Sequence, residues 1–311
     1  MSIEREMFRL EDLPEIDSEL AERLKSAGLD HPLLLAVATA EHLEGCGLGR
    51  AEAIELMGKT REKLDIRFQT LREFADRIYQ VSRISTGSRY LDDLMERGVE
   101  TMKVTEFFGP AASGKTQLSQ QLAVNVQLSE GEGGLGSEAV YIDTERGFSP
   151  RRIEEMARAK DLRPREVLRK IFYARADTVE GLFEMVRKAE KFLQDKSARI
   201  VIVDNLAGPF SAQFDRFRVH EKQVLTQKLL FRLLTYGEVY NAAVVFTNRV
   251  YSIPDAIAAE SLHPFGGMVV DRSVHKKIML RNQRQHRYLA RDFRSDRETL
   301  FRIDEGGVSD L

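Results

Sequence analysis

The stretch FFGPAASGKTQ, residues 107–117, constrains the chain more than any other segment. It follows the apolar run VTEFF and leads into TQLSQQLAVNVQL, so a Gly, four residues, Gly, Lys, Thr pattern stands between an expected strand and an expected amphipathic helix. There Gly109 and Gly114 allow tight turns that point backbone N–H groups inward, and the helix N-terminus adds partial positive charge. Pro110, Ala111, Ala112 and Ser113 would line the turn around a triphosphate, with Gln117 just inside the helix. Lys115 would meet the β and γ phosphates, and Thr116 would ligate Mg²⁺.

Around this loop, short apolar runs alternate with helical patterns: AVYID then PRRIEEMARAK, IFYARA then VEGLFEMVRKAEKFL, RIVIVDN then QVLTQKLLFRLLTYG, AAVVFTN, and finally KKIML and TLFRID. Continuous apolar runs are strands buried on both faces, and the helices between them are the crossovers that parallel pairing requires. The expected fold is α/β, a mostly parallel sheet flanked by helices with antiparallel pairs at its end. Strand-end acids supply what hydrolysis needs besides a phosphate loop. Asp204 closes RIVIVD and can serve the metal directly or through water. Asp143 and Glu145 follow AVYI, where their side chains can project from one strand face, and Glu145 is the better candidate for polarising water.

The first 60 or so residues differ, being short helical segments broken by Pro and Gly. Leu20, Leu24 and Ala27 recur at helical spacing before Gly28, and Gly47-Leu48-Gly49 feeds a second helix, giving two successive helical hairpins. The expected organisation is a helical domain over 1–62, a linker over 63–82 that becomes a charged helix, and an ATPase core over 83–311. Residues 129–139 read as a Gly-rich surface loop, and 249–267 as a long connection without clear periodicity. Lys and Arg number 47 against 49 Asp and Glu, so any polyanion site must be local. One cysteine, Cys46, excludes an intramolecular disulfide. With no signal-peptide core and no run of about 18 to 20 apolar residues, the chain reads as cytoplasmic, without a membrane partner.

The segments ISTGSRYLDDLMERGVETMKVTEFFGPAASGKTQLSQQLAVNVQL, EGGLGSEAVYIDTERGFSPRRI, VIVDNL and VVFTNRV, in this order, resemble the archaeal RadA recombinases and their eukaryotic strand-exchange relatives in the RecA superfamily. The resemblance spans essentially the whole chain. It implies a RecA-type core behind a small helix-hairpin-helix domain, ATP and Mg²⁺ as cofactors, and catalysis by Glu145 with Lys115. Asp204 and Thr116 would serve the metal, and Arg152, in an F-x-P-x-R element, would pack on adenine unless it is simply a solvated charge. The implied partners are single-stranded and double-stranded DNA and further copies of the chain in a filament or ring. Phe68, with Leu71 three residues on, stands where the family's protomers join, or else Phe68 covers its own core. Two DNA loops are implied, one carrying Arg216, Arg218 and Lys222 with Phe214 and Phe217, the other running from Arg249 to the glycines Gly266 and Gly267. A merely solvated charged loop remains the other reading of the first.

This sequence departs from the family pattern at several points. Leu71 replaces an Ala, Glu15 and Asp17 replace glycines of the first hairpin, and Thr247-Asn248-Arg249 replaces Thr-Asn-Gln, whose amide couples nucleotide to DNA. DFRSDRE lacks the proline of the segment that caps a neighbour's ATP. Nine Lys and Arg residues from Arg272 to Arg297 crowd one segment, as a phosphate-tracking stripe, as the arginines of a trans ATP site or as a solvated hairpin. Two functions therefore stand side by side. One is a DNA-dependent ATPase of homologous recombination and repair that forms filaments on single-stranded DNA and promotes strand exchange. The other is a divergent RadA paralogue that binds ATP and DNA or a RadA recombinase, acting as a mediator with weak ATPase activity.

Overall fold

The structure, a computed structural model, describes residues 9–64, 68, 70–195, 197–214, 218–252 and 262–311. The chain divides into two compact units, Met1–Tyr79 and Gln80–Leu311.

The first unit is helical: α1 (Ser18–Ser26), α2 (Pro32–Ala36), α3 (Ala40–Glu44), α4 (Arg50–Lys63) and α5 (Leu71–Ile78). Leu20 and Leu24 of α1 enter a buried apolar cluster with Leu35, Leu43, Ala53 and Leu56. The tight turn into α4 places Gly47 at φ +85°, a conformation that suits glycine. The two acids of the first hairpin have local structural work. Asp17 caps α1, accepting from Leu20 N at 2.7 Å, and Glu15 pairs with Lys59 at 2.9 Å. Hydrogen bonding to Lys59 holds the Glu15 carboxyl below its usual range.

The second unit opens with a two-stranded antiparallel pair, β1 (Arg83–Ile84) and β2 (Val99–Glu100), around α6 (Arg89–Leu94). The main elements follow: β3 (Val104–Gly109), α7 (Lys115–Asn125), β4 (Glu138–Asp143), α8 (Pro150–Arg158), α9 (Pro164–Arg169), β5 (Ile171–Arg175), α10 (Val179–Gln194), β6 (Ala198–Asp204), α11 (Ala207–Gln213), α12 (Val219–Tyr240) and β7 (Ala243–Ser252). After these come β8 (Leu262–Pro264), α13 (Gly267–Ser273), β9 (Lys276–Asn282), β10 (Arg287–Asp292), β11 (Glu298–Asp304) and β12 (Gly307–Ser309). The sheet order is β12-β11-β10-β9-β3-β7-β6-β4-β5. Strands β9, β3, β7, β6, β4 and β5 run parallel, and β10, β11 and β12 extend the sheet antiparallel beyond β9. This is the expected α/β core with its antiparallel end. Alternation along β6 shows why its run is wholly apolar: Ile200 and Ile202 enter one core cluster, Val201 and Val203 the cluster on the other face.

Two expectations need correction. Helix α7 is not amphipathic in its surroundings, because every residue from Leu118 to Asn125 is buried. Part of its polar set is bonded: Gln121 donates to Asn125 Oδ1 at 2.8 Å, Asn125 donates to Ser85 O at 2.7 Å, Gln121 Oε1 accepts from Val308 N at 3.1 Å and Gln120 donates to Gly147 O at 3.1 Å, whereas Ser119 Oγ and Gln120 Oε1 are buried without a partner among the described residues. The connection over 249–267 is also not irregular throughout. Strand β7 extends to Ser252, and β8 returns antiparallel on it, with Val250 facing Pro264. Residues 253–261 lie outside the described residues.

On the face of β3 away from α7, Glu106 is fully buried and its side chain has Lys277, only 4% exposed, 3.5 Å away. Asn248 donates to the other Glu106 oxygen at 2.7 Å, and Lys277 also pairs with Asp271. Burial pushes the Glu106 carboxyl up, while Lys277 and Asn248 pull it back. Lys277→Met should therefore cost about 3–5 kcal/mol in urea unfolding, since it strands a buried carboxylate. Adding Glu106→Gln to that variant should recover part of the loss.

Candidate active site

Strand β3 ends at Gly109 and α7 begins at Lys115, so the phosphate loop occupies the strand-to-helix turn that the sequence predicts. A Cβ on Gly109 would lie 2.1 Å from the Leu280 carbonyl oxygen, so only glycine fits against β9 there. Gly114 sits at φ +93° as the N-cap, and Ala112 takes a positive φ of 58°. No described side chain caps α7, and its first N–H groups are left for an anionic ligand. The Lys115 ammonium is held by Gly109 O at 2.9 Å, Pro110 O at 2.7 Å and Ser113 Oγ at 3.2 Å. Burial lowers its pKa, and the charges of Asp204 and Glu145 act to raise it.

The carboxylates arrive from the ends of adjacent parallel strands, with Asp143 of β4 opposite Asp204 of β6. Asp204 is buried; it accepts from Tyr141 Oη at 2.8 Å and from the Thr247 hydroxyl. Burial raises its pKa, and hydrogen bonds from Thr247, Tyr141 and Thr116 oppose the shift. Thr116 and Asp204, the two residues expected to serve a metal, are thus brought together.

The two acids after β4 separate in role. Asp143 accepts from the backbone N–H groups of Glu145 (3.0 Å), Gly147 (3.2 Å) and Phe148 (3.1 Å), and from Tyr173 Oη at 3.3 Å. Its lone pairs are committed to shaping the turn. Glu145 does not share a strand face with it, because β4 ends at Asp143 and Glu145 lies in the turn that Asp143 holds. Thr144 ties this turn to the end of β6, donating to Asn205 O at 2.6 Å and accepting from Asn205 N at 2.8 Å. Glu145 carries an ion pair that sequence reasoning missed: Arg249 Nε stands 2.7 Å from its Oε1.

Arg152 is not a solvated charge. Its side chain is 13% exposed; it donates to Gln117 Oε1 at 2.6 Å and to the carbonyls of Asp304 and Glu305, and it pairs with Glu155. It ties the first turn of α7, through Gln117, to α8 and the turn after β11.

The predicted DNA residues that the structure describes have different local partners. Arg216 lies outside the described residues, as does Phe217. Arg218 lies over the Phe214 ring at 4.9 Å and pairs with Glu221 at 2.6 Å. Phe214, expected in the first DNA loop, is buried against Phe210. Lys222 lies 5.3 Å from the Phe265 ring, while Arg249 goes to the nucleotide side. Gly266, at φ +92°, caps α13, and a Cβ there would strike Val270 at 2.2 Å; Gly267 begins the helix. Phe68 and Leu71 are both exposed in the first unit. In the basic segment Lys276 is paired with Glu96 and Asp292, Lys277 with Glu106 and Asp271, and Arg291 with Asp296. Arg281, Arg284 and Arg287 are exposed on the β9–β10 hairpin.

ATP and Mg²⁺ fit this donor set. The glycines leave space against β3 that a Cβ would fill, an uncapped helix end faces the loop, and a hydroxyl and a buried carboxylate stand together beside it. Parallel strands in this order, with the loop after β3 meeting the carboxyl ends of β4, β6 and β7, define a phosphate-loop ATPase core of the RecA type. The Rad51 family model matches residues 77–311. The DNA repair and recombination protein RadA of Aeropyrum pernix is 34% identical over 312 aligned residues, 98% of each chain. The chain belongs to the Rad51 family, a family of ATPases.

Asp143→Ala would leave three backbone donors of the 144–148 turn without their acceptor. A loss of about 2–4 kcal/mol in thermal or urea unfolding is expected. ATP turnover should fall with it as Glu145 loses its fixed position.

Proposed function

We propose that the chain is a DNA-dependent ATPase of homologous recombination and DNA repair that assembles on single-stranded DNA and promotes strand exchange with duplex DNA. The reading rests on one juxtaposition, that of Lys115, Thr116, Asp204 and Glu145 around the phosphate loop. Membership of the Rad51 family and the likeness to a DNA repair and recombination protein supply the nucleic-acid context. Mg²⁺ held by Thr116 and Asp204 would neutralise charge on the β and γ phosphates. Lys115 would exchange its loop carbonyls for phosphate oxygens. Glu145 would orient the water that attacks the γ phosphate in line. Hydrolysis would then drive release from DNA, with no DNA bond broken.

Arg218, Lys222 and the hairpin arginines offer local positive charge on a chain of net charge -2. Phe68 and Leu71 are exposed where a neighbouring copy, or a RadA recombinase, would take them. No helix among the described residues is long and apolar enough to cross a membrane. We place the chain in the cytoplasm.

The ion pair of Glu145 with Arg249 supports a second reading, a mediator that binds ATP and a recombinase and hydrolyses slowly. Steady-state ATPase assays with and without a single-stranded oligonucleotide separate the two. Strong stimulation, reduced about 100-fold or more by Glu145→Gln, is expected for the recombinase. A slow rate indifferent to the oligonucleotide would select the mediator instead. For assembly, Phe68→Ala should weaken self-association about tenfold or more, read by light scattering after size exclusion, as for a buried aromatic anchor.

A further inference from the structure

Among the described residues, Arg249 is the predicted DNA residue that the fold carries to the nucleotide side. In the parallel ladder its Cα lies in register with Gly109, the first residue of the phosphate loop. Strand alternation puts it on the same face as Thr247, which bonds Asp204. From there its Nε reaches Glu145 Oε1 at 2.7 Å. The lone pair that accepts from the guanidinium is not available to a water.

The backbone beneath this arginine is fixed on both sides. Its carbonyl accepts from Phe265 N at 3.2 Å, and the neighbouring Asn248 side chain donates to Phe265 O at 2.9 Å and to Glu106. The Arg249 side chain reaches beyond this fixed backbone to the edge of the site. It is 57% exposed, against 24% for Glu145, so its other donors are open to a second anion. The positive charge of Arg249 also opposes that of Lys115, which favours taking the guanidinium away. Phe265, the residue bonded to the Arg249 backbone, lies under the Lys222 ammonium and packs on Phe210 at 5.6 Å. A phosphate drawn to Lys222 therefore approaches a segment continuous with Arg249.

We propose that Arg249 is a positioning residue for hydrolysis: it restrains Glu145 through the ion pair and gives it up when a nucleic-acid phosphate competes for the guanidinium. The inference rests on the reading of the chain as a DNA-binding ATPase. A half-exposed ion pair is weak enough to be exchanged, and its loss changes a rate by about two- to fivefold.

The test uses the full chain and its Arg249→Gln and Arg249→Lys variants. Turnover is measured with and without an oligothymidylate, alongside thermal stability and affinity for a fluorescent ATP analogue. Without oligonucleotide, Arg249→Gln should raise kcat about two- to fivefold while KM, nucleotide affinity and stability stay as in the parent. Its response to oligonucleotide should shrink accordingly, and Arg249→Lys, which keeps the charge, should fall between. A fall in kcat with and without oligonucleotide would overturn the proposal, because the guanidinium would then be serving the γ phosphate of ATP itself. An unchanged rate in an active, oligonucleotide-stimulated protein would overturn it too, leaving the ATPase reading intact. If parent and variant bind nucleotide but neither turns it over with oligonucleotide present, the ATPase reading fails and the restraint with it.

Discussion

The parallel pairing of β7 with β3 sets Thr247 beside Phe107, Asn248 beside Phe108 and Arg249 beside Gly109, and the chemistry of the site depends on that register. Three consecutive side chains of β7 each reach an acid from a different segment. Thr247 bonds Asp204 of β6, Asn248 bonds Glu106 of β3, and Arg249 pairs with Glu145 of the turn after β4. Alternation sends the first and third to the nucleotide face and the second into the opposite layer. A slip of one residue would exchange those faces and bury the guanidinium without its partner. Glu106, Lys277 and Asn248 thus do more than fill the sheet, since they hold the register on which Asp204 and Glu145 are presented.

The fold was legible because local patterns and the global answer agree. Continuous apolar strands such as RIVIVD demand burial on both faces, and a phosphate loop between strand and helix allows few other architectures. Asp204 and Glu145 were legible as strand-end acids beside that loop. The division between Asp143 and Glu145 was not, because it follows from hydrogen bonds that only the folded turn creates. The destination of Arg249 was likewise hidden. Position along the chain put it at the start of a DNA loop, whereas the β3–β7 register delivers its side chain to the nucleotide. Phe214 misleads for a related reason: an aromatic in a charged loop reads as exposed until Phe210 packs on it.

Charge shows the same limit. The basic segment from Arg272 to Arg297 reads as one stripe, yet Lys276, Lys277 and Arg291 are matched by acids distant in sequence or held across a turn. What remains prominent is the β9–β10 hairpin, whose Asn282 donates to Ala112 O of the phosphate loop at 3.3 Å. The exposed positive charge therefore lies on an element that touches the nucleotide site directly. In the first unit the replacement of hairpin glycines by acids has the opposite sense. Asp17 caps α1 and Glu15 ties the segment before α1 to α4, at the expense of backbone approach to a phosphate.

An arginine in place of an amide at position 249 changes the kind of signal that can pass between polyanion and nucleotide. A neutral amide communicates by donating and accepting hydrogen bonds, so its coupling depends on geometry and little on ionic strength. The Arg249–Glu145 pair is an electrostatic contact at the edge of the site, where salt screens charges over about 8–10 Å. Nucleic-acid phosphates are themselves released by salt, so the same variable weakens the restraint and the competitor that relieves it. The two effects oppose each other. A site built this way has its widest span between restrained and released states at low to moderate ionic strength, where both interactions are strong.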